Sequence, residues 1–180
     1  MAQGLSGVPK PSLERWPGVP NPHGKDGIGK KTRIRRTWYG VLATVSIGPG
    51  FWHEAGFGSL VIPHPPLVNW LLRTGLPEEA RTALAFAHEF GHFQTLPLIL
   101  AYTALLVTLY VVRGSSTVAE VFFLLISAHA TWEIASELWT KAADYQRYRR
   151  YYQWVTPIPR VIFWTAAIIL TVLGWWVAIG

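Results

Sequence analysis

Residues 83–112 read ALAFAHEFGHFQTLPLILAYTALLVTLYVV, a run apolar enough to lie in a bilayer whose only acidic or basic side chains are His88, Glu89 and His92. On a helix, His88 and His92 are one turn apart and project from one face, with Glu89 beside them. Two imidazoles so placed can share a Zn2+, and the neighbouring carboxylate can activate its bound water as general base. Each ionisable side chain in hydrocarbon costs about 2.5–3.5 kcal/mol on insertion scales, so three together mark a functional site. The plainer reading of the same residues is a buried hydrogen-bonded cluster, or the relic of a metal site.

Outward from this run, Pro77 followed by Glu78 and Glu79 reads as the start of its helix. Proline needs no amide partner in the first turn, and carboxylates offset the positive end of the helix dipole. Pro97 releases the carbonyl of Phe93 and bends the axis just past the motif. The helix is expected to reach Val112, where Gly114 and the serines after it make a tight turn. Thr117 with Glu120 fits a capping box opening a second long helix. That helix is apolar to about Trp139, then basic and aromatic to about Trp154. Thr156 and Pro157 open a last helix, Val161 to Ile179, long enough to span about 30 Å of hydrocarbon.

Upstream, residues 1–36 carry Pro9, Pro11, Pro17, Pro20 and Pro22 among glycines and basic residues, a composition for an extended or disordered arm. No short apolar core with a small-residue cleavage site occurs in it, so no cleaved signal peptide is expected. Trp38 to Ile62 is apolar but broken by Gly48, Pro49, Gly50, Gly56 and Gly58. The expectation there is a short returning helix or a re-entrant element covered by protein. Pro63, Pro65 and Pro66 precede a short amphipathic piece, Leu67 to Leu72. The fold class read from this pattern is an all-α polytopic membrane bundle: a basic arm over 1–36, then a helical domain over 37–180 with three full spans and one re-entrant or short element.

Composition agrees with that class. The chain is 51% hydrophobic and 14% charged, with ten Trp and seven Tyr suited to the headgroup level. Its formal charge of +6 lies mainly in two blocks, Lys30 to Arg36 and Lys141 to Arg150, read as cytoplasmic flanks of a membrane protein rather than nucleic-acid patches. If Trp38 to Ile62 returns to its own side, both blocks are cytoplasmic and only Arg113 faces outward; this is the favoured topology. The expected setting is the lipid bilayer of a bacterial inner membrane, with the N-terminus cytoplasmic and no nucleic-acid partner. No cysteine is present, which excludes disulfides, thiol catalysis, Cys-ligated zinc and iron–sulfur clusters.

A catalytic zinc usually takes three protein ligands. The helix from Thr117 carries His129, Glu133 and Glu137, four apart and so stacked on one face. A tight turn near Gly114 makes the two long helices antiparallel neighbours, and residues whose numbers sum to about 229 then lie at equal depth. That pairs His92 with Glu137 and leaves Glu133 about one turn away; either is a candidate third ligand, Glu133 slightly ahead because it sits deeper in the apolar run. The other carboxylate, and His129, then orient a ligand imidazole. Alternatively the two acids pair with Arg147 or Lys141. A dinuclear iron or manganese site is a further option with this many ligands. His53 and Glu54 extend the site if their segment folds over it, but read more simply as an interfacial turn. His64, among prolines, reads as a loop residue. The run from Tyr145 to Trp154 suits an interfacial anchor or anionic headgroups.

His88-Glu89-Phe90-Gly91-His92-Phe93 resembles the zinc motif of the intramembrane site-two proteases. In that family the third ligand is an Asp in a later Leu-Asp-Gly motif, which this chain lacks. The segment also resembles the membrane zinc peptidases that process CAAX and misfolded proteins. Their third ligand is a Glu on a later helix followed closely by Ala-Asp; Glu137 with Ala143-Asp144 echoes this at a longer spacing. The resemblance implies a helical membrane zinc metallopeptidase with Glu89 as general base. A reading from a different class is a small accessory subunit of a respiratory or photosynthetic complex, its histidines structural or ligating haem or bacteriochlorophyll. A dinuclear iron oxidase is a third reading.

Overall fold

The computed structural model describes residues 30–48, 53–65, 67–73, 75–114, 117–143, 145–152 and 157–180. Among them are four strands, β1 (Lys31–Arg36), β2 (Leu42–Ile47), β3 (His53–Phe57) and β4 (Leu60–His64), followed by five helices. The helices are α1 (Leu67–Arg73), α2 (Glu78–Arg113), α3 (Val118–Ala143), α4 (Tyr145–Tyr152) and α5 (Pro157–Ile179). Helices α2, α3 and α5 are each long and apolar enough to cross a membrane. The chain is therefore the mostly helical, three-span protein that its sequence pattern describes, with the addition of a small sheet. Outward-facing Leu98, Leu100, Phe122, Leu125, Ile169 and Val172 present apolar surface suited to lipid.

The sheet replaces the re-entrant element expected over Trp38 to Ile62. It is an antiparallel meander in the order β1-β2-β3-β4. Lys31–Arg36, assigned to the arm by composition, form its first strand; residues 1–29 of that arm lie outside the described residues. Of the glycines that forbid a regular helix here, Gly56 lies within β3 and Gly58 serves a turn. Phe57 pairs with Leu60 across a two-residue Gly58-Ser59 turn, and Gly58 has φ +59°, the conformation a tight hairpin demands at its first central position. Ala43, Val45 and Ile47 alternate onto one face of β2 and pack on Ala85, Phe86, Phe90 and Phe93 of α2. The other side of α2's aromatic row is met by β1, where the Arg33 and Arg35 guanidinium groups lie 4.4 and 5.1 Å from the Phe86 and Phe90 ring centres.

Helix α2 has 36 residues, a length of about 54 Å, whereas the twenty residues from Phe93 to Val112 already cover about 30 Å. Its first four turns therefore extend past the most apolar part, and these carry the sheet. Pro97 sits at the junction. The Phe93 carbonyl that Pro97 cannot bond accepts a hydrogen bond from the Tyr39 hydroxyl at 2.6 Å, and the Trp38 indole donates to the next carbonyl, Gln94, at 2.8 Å. At the far end α2 stops on Gly114, φ +79°, and the Thr117–Glu120 capping box starts α3 with reciprocal bonds of 3.0 and 3.2 Å. Arg113 pairs with Glu120 and donates to the Val177 carbonyl of α5 at 2.6 Å.

Tyr39→Phe leaves the Phe93 carbonyl without its donor and is expected to lower stability by about 1–3 kcal/mol, read as a fall in the thermal unfolding midpoint in detergent. An unchanged midpoint rejects the assigned role of that hydroxyl.

Candidate metal centre

Helices α2 and α3 approach each other closely at Gly91. A Cβ built there would stand 2.8 Å from the Ser136 carbonyl oxygen and 3.0 Å from its Cα, so glycine is what lets the two backbones meet. This contact sets the register that the short turn between the helices implies. It brings His88 and His92 of α2 against Glu133 and Glu137 of α3.

Three donor atoms converge. His88 Nε2 lies 3.0 Å and His92 Nε2 3.4 Å from the same oxygen, Glu133 Oε2. Atoms ligating a tetrahedral zinc at about 2.1 Å stand about 3.4 Å apart, so the spacing is that of a three-ligand set. The tautomers sharpen the point. His88 Nδ1 is 3.0 Å from Glu137 Oε2. A carboxylate accepts only, so that nitrogen carries the hydrogen and a neutral His88 turns its lone pair to Glu133. Nδ1 of His92 is buried with no partner among the described residues, which leaves its ring's polar contact on the Glu133 side. Two imidazole nitrogens aimed at one carboxylate oxygen are reconciled by two protons or by a single divalent cation. The residues present thus fit a zinc ion, which His88, His92 and Glu133 would hold.

Glu137, the other candidate ligand, stands outside that group of three converging atoms. Its Oε2 accepts from Arg73 Nη2 at 2.7 Å and its Oε1 from the Tyr148 hydroxyl at 2.9 Å. What remains of its capacity orients His88, the carboxylate–histidine arrangement that fixes the tautomer of a ligand ring. Its cationic partner is Arg73 of α1; of the two considered from sequence, Lys141 makes no such pair among the described residues and the Arg147 side chain lies outside them. His129 is exposed and stands 3.4 Å from the other oxygen of Glu133.

Glu89 does not face the His88–His92–Glu133 set. Adjacent helical positions diverge by about 100°, and its carboxylate points into a second cluster under the sheet. Oε1 lies 3.1 Å from His53 Nδ1 and accepts from Asn69 Nδ2 at 2.7 Å; Oε2 lies 3.1 Å from His64 Nε2. His53 and His64, read from sequence as an interfacial turn and a loop residue, therefore join Glu89 in one cluster. They are directly opposed in the β3–β4 register, so their side chains leave one face of the sheet together. The neighbouring Glu54 points elsewhere and pairs with Lys30. The Glu89 carboxylate holds His64 above the ordinary imidazole range, against the opposing effect of burial. The pocket favours positive charge on that side chain.

Comparison with protein-family models, with characterised proteins and with solved structures finds no match. The functional reading therefore rests on the two clusters and their surroundings.

Two substitutions test this construction. Gly91→Ala forces the Ser136 backbone away and is expected to cost about 1–3 kcal/mol while weakening metal retention, because the ligands come from both helices. Arg73→Met strands Glu137 as a buried anion, at an expected cost of about 3–5 kcal/mol in detergent unfolding. Arg73→Met with Glu137→Gln should recover part of the loss; a double variant no more stable than the single rejects the pair as the stabilising contact.

Proposed function

We propose that this protein is a membrane-embedded, zinc-dependent hydrolase acting on peptide bonds. The observation that carries the reading is the convergence of His88 Nε2 and His92 Nε2 on Glu133 Oε2, at a spacing that suits one divalent ion. Bound there, the ion supplies Lewis-acid activation of a water and of the scissile carbonyl. Glu137 and Arg73 hold His88 in the tautomer that presents Nε2. Glu89, next along the helix from His88, would act on that water from the second cluster, where His53, His64 and Asn69 hold its carboxylate in place.

Peptide as substrate is supported by the form of the His-Glu-Phe-Gly-His segment and by the sheet beside it. Among the described residues β4 is an edge strand, pairing with β3 only and ending at His64 of the Glu89 cluster. An extended peptide laid along such an edge gains main-chain hydrogen bonds and enters the site in one register. The position of the clusters, at the end of α2 that leaves the most apolar run, suits a substrate approaching from the interface.

The test is hydrolysis of quenched fluorogenic peptides by the purified full chain in detergent. Turnover should disappear with a chelator and return with Zn2+. Glu133→Gln should lose the ion and the activity together. Glu89→Gln should keep the ion at His88, His92 and Glu133 yet lower turnover by about 10²–10⁴-fold. Cleavage by Glu89→Gln at the wild-type rate, or by the metal-free protein, would overturn the assignment.

A further inference from the structure

The Glu89 cluster repeats the chemistry of the first one. Each contains two imidazoles and one carboxylate, and in each the three ligand atoms lie within 4.8 Å of one another. Both are the two-histidine, one-carboxylate set used by zinc hydrolases and by non-haem iron centres. We infer that His53, His64 and Glu89 form a second divalent-cation site.

Three observations carry this independently of the first site. The β3–β4 hairpin places His53 directly across from His64, and the two rings stand edge to face with centroids 6.1 Å apart, leaving the wedge between them to the Glu89 carboxylate. His64 has Nδ1 3.5 Å from the Ile62 carbonyl, a long contact in which only the nitrogen can donate. With a cation in place of the proton that Glu89 otherwise favours on this ring, His64 would present the lone pair of Nε2 to the ion, as ligand histidines do when their other nitrogen bonds a backbone carbonyl. Asn69 is buried and donates to Glu89 through Nδ2, while its Oδ1 has no partner among the described residues. An amide that supports the carboxylate and keeps an unused oxygen beside the cluster adds to the acceptor character of the pocket.

Accessibility also differs between the ligands in a way that suits ion entry. The side chains of His53 and Glu89 are each 5% exposed, whereas that of His64 is 36% exposed. An ion can be taken up through the His64 side and end on the two buried ligands. The consequence for turnover rests on the hydrolase reading above: a cation held by His53, His64 and Glu89 would add a second Lewis acid to the site's chemistry. Existence of the site does not rest on that reading, since it is measured by metal content alone.

The experiment is elemental analysis of the full chain purified in detergent, stripped with chelator, reloaded with Zn2+ and desalted. Wild type should hold two ions per chain. His53→Ala/His64→Ala should hold one, His92→Ala/Glu133→Gln should hold one, and the four-fold variant none. Reloading with Co2+ should give visible d–d absorption in both double variants, with different band shapes from the two ligand fields. Because a double alanine can disturb the sheet, Glu89→Gln serves as the isosteric control, and it should weaken retention of one ion at least ten-fold. One ion in wild type, kept in full by both His53→Ala/His64→Ala and Glu89→Gln, would refute the second site while leaving the first intact. Two ions without peptide hydrolysis would instead refute the hydrolase reading and leave the second site standing.

Discussion

Three carboxylates, Glu89, Glu133 and Glu137, are withdrawn from water at the end of two apolar helices, and most of the remaining architecture exists to compensate them. A buried carboxylate without partners costs several kcal/mol, so each must collect donors or a cation. Glu137 takes Arg73 and Tyr148, Glu89 takes Asn69 with His53 and His64, and Glu133 takes the two motif histidines. The partners of Glu133 lie on α2, whereas Arg73, Tyr148, Asn69, His53 and His64 come from α1, α4 and the sheet, outside the three long apolar helices. Asn69 and Arg73 are one turn apart on α1 and serve two different acids, which explains why a seven-residue helix is buried on that side. Removing any of these elements would expose a charge rather than simply an apolar surface.

Close approach of α2 and α3 is the second condition. The antiparallel pair is held near Gly91 and Ser136, and an indole hydrogen bond from Trp132 to the His92 carbonyl at 2.9 Å fastens the same turn. With backbones this near, the short Glu133 and His92 side chains reach one another without a bridging residue. A larger side chain at 91 would open the gap by ångströms, which is the whole difference between a converging donor set and two unrelated polar groups.

Much of this was legible from residue order. The spans, the Gly114 turn, the Thr117 cap and the placing of Glu133 near the histidines all follow from hydrophobic runs, breakers and helical spacing. Even the released Phe93 carbonyl follows from Pro97, though not the fact that Tyr39, 54 residues earlier, would satisfy it. What failed to show was the sheet. Residues 31–64 are short strands rich in Arg, Gly and Pro, and their apolar content sits beside a membrane run, so hydropathy favours membrane insertion over the period-two alternation of Ala43, Val45 and Ile47. The Phe57-Gly58-Ser59-Leu60 hairpin was the signal available. Once that turn is recognised, His53 and His64 fall opposite each other by counting, and two histidines otherwise read as a turn and a loop residue become cross-strand partners. The choice between Glu133 and Glu137 needed Arg73, whose contact is set by tertiary packing that no local pattern encodes.

The polar groups are distributed unequally along the bundle, and this argues for where chemistry can occur. At the Gly114 end the polar contacts form one self-contained network: Arg113 with Glu120 and the Val177 carbonyl, and Tyr110 with Thr117 and Glu120. Each donor there is spent on a cap or an ion pair, so that end closes the helices and does no more. At the sheet end the donors outnumber what structure alone needs. Five histidines gather on three carboxylates, and an Asn oxygen, an imidazole nitrogen and two Arg73 nitrogens are left without partners among the described residues. Natural interiors rarely keep so much unused hydrogen-bonding capacity together unless something else is to be bound. Most of the excess lies at the end where α2 emerges from its apolar run under the sheet, the Tyr102 hydroxyl within that run being the exception, and there the physical case for ligand chemistry is strongest.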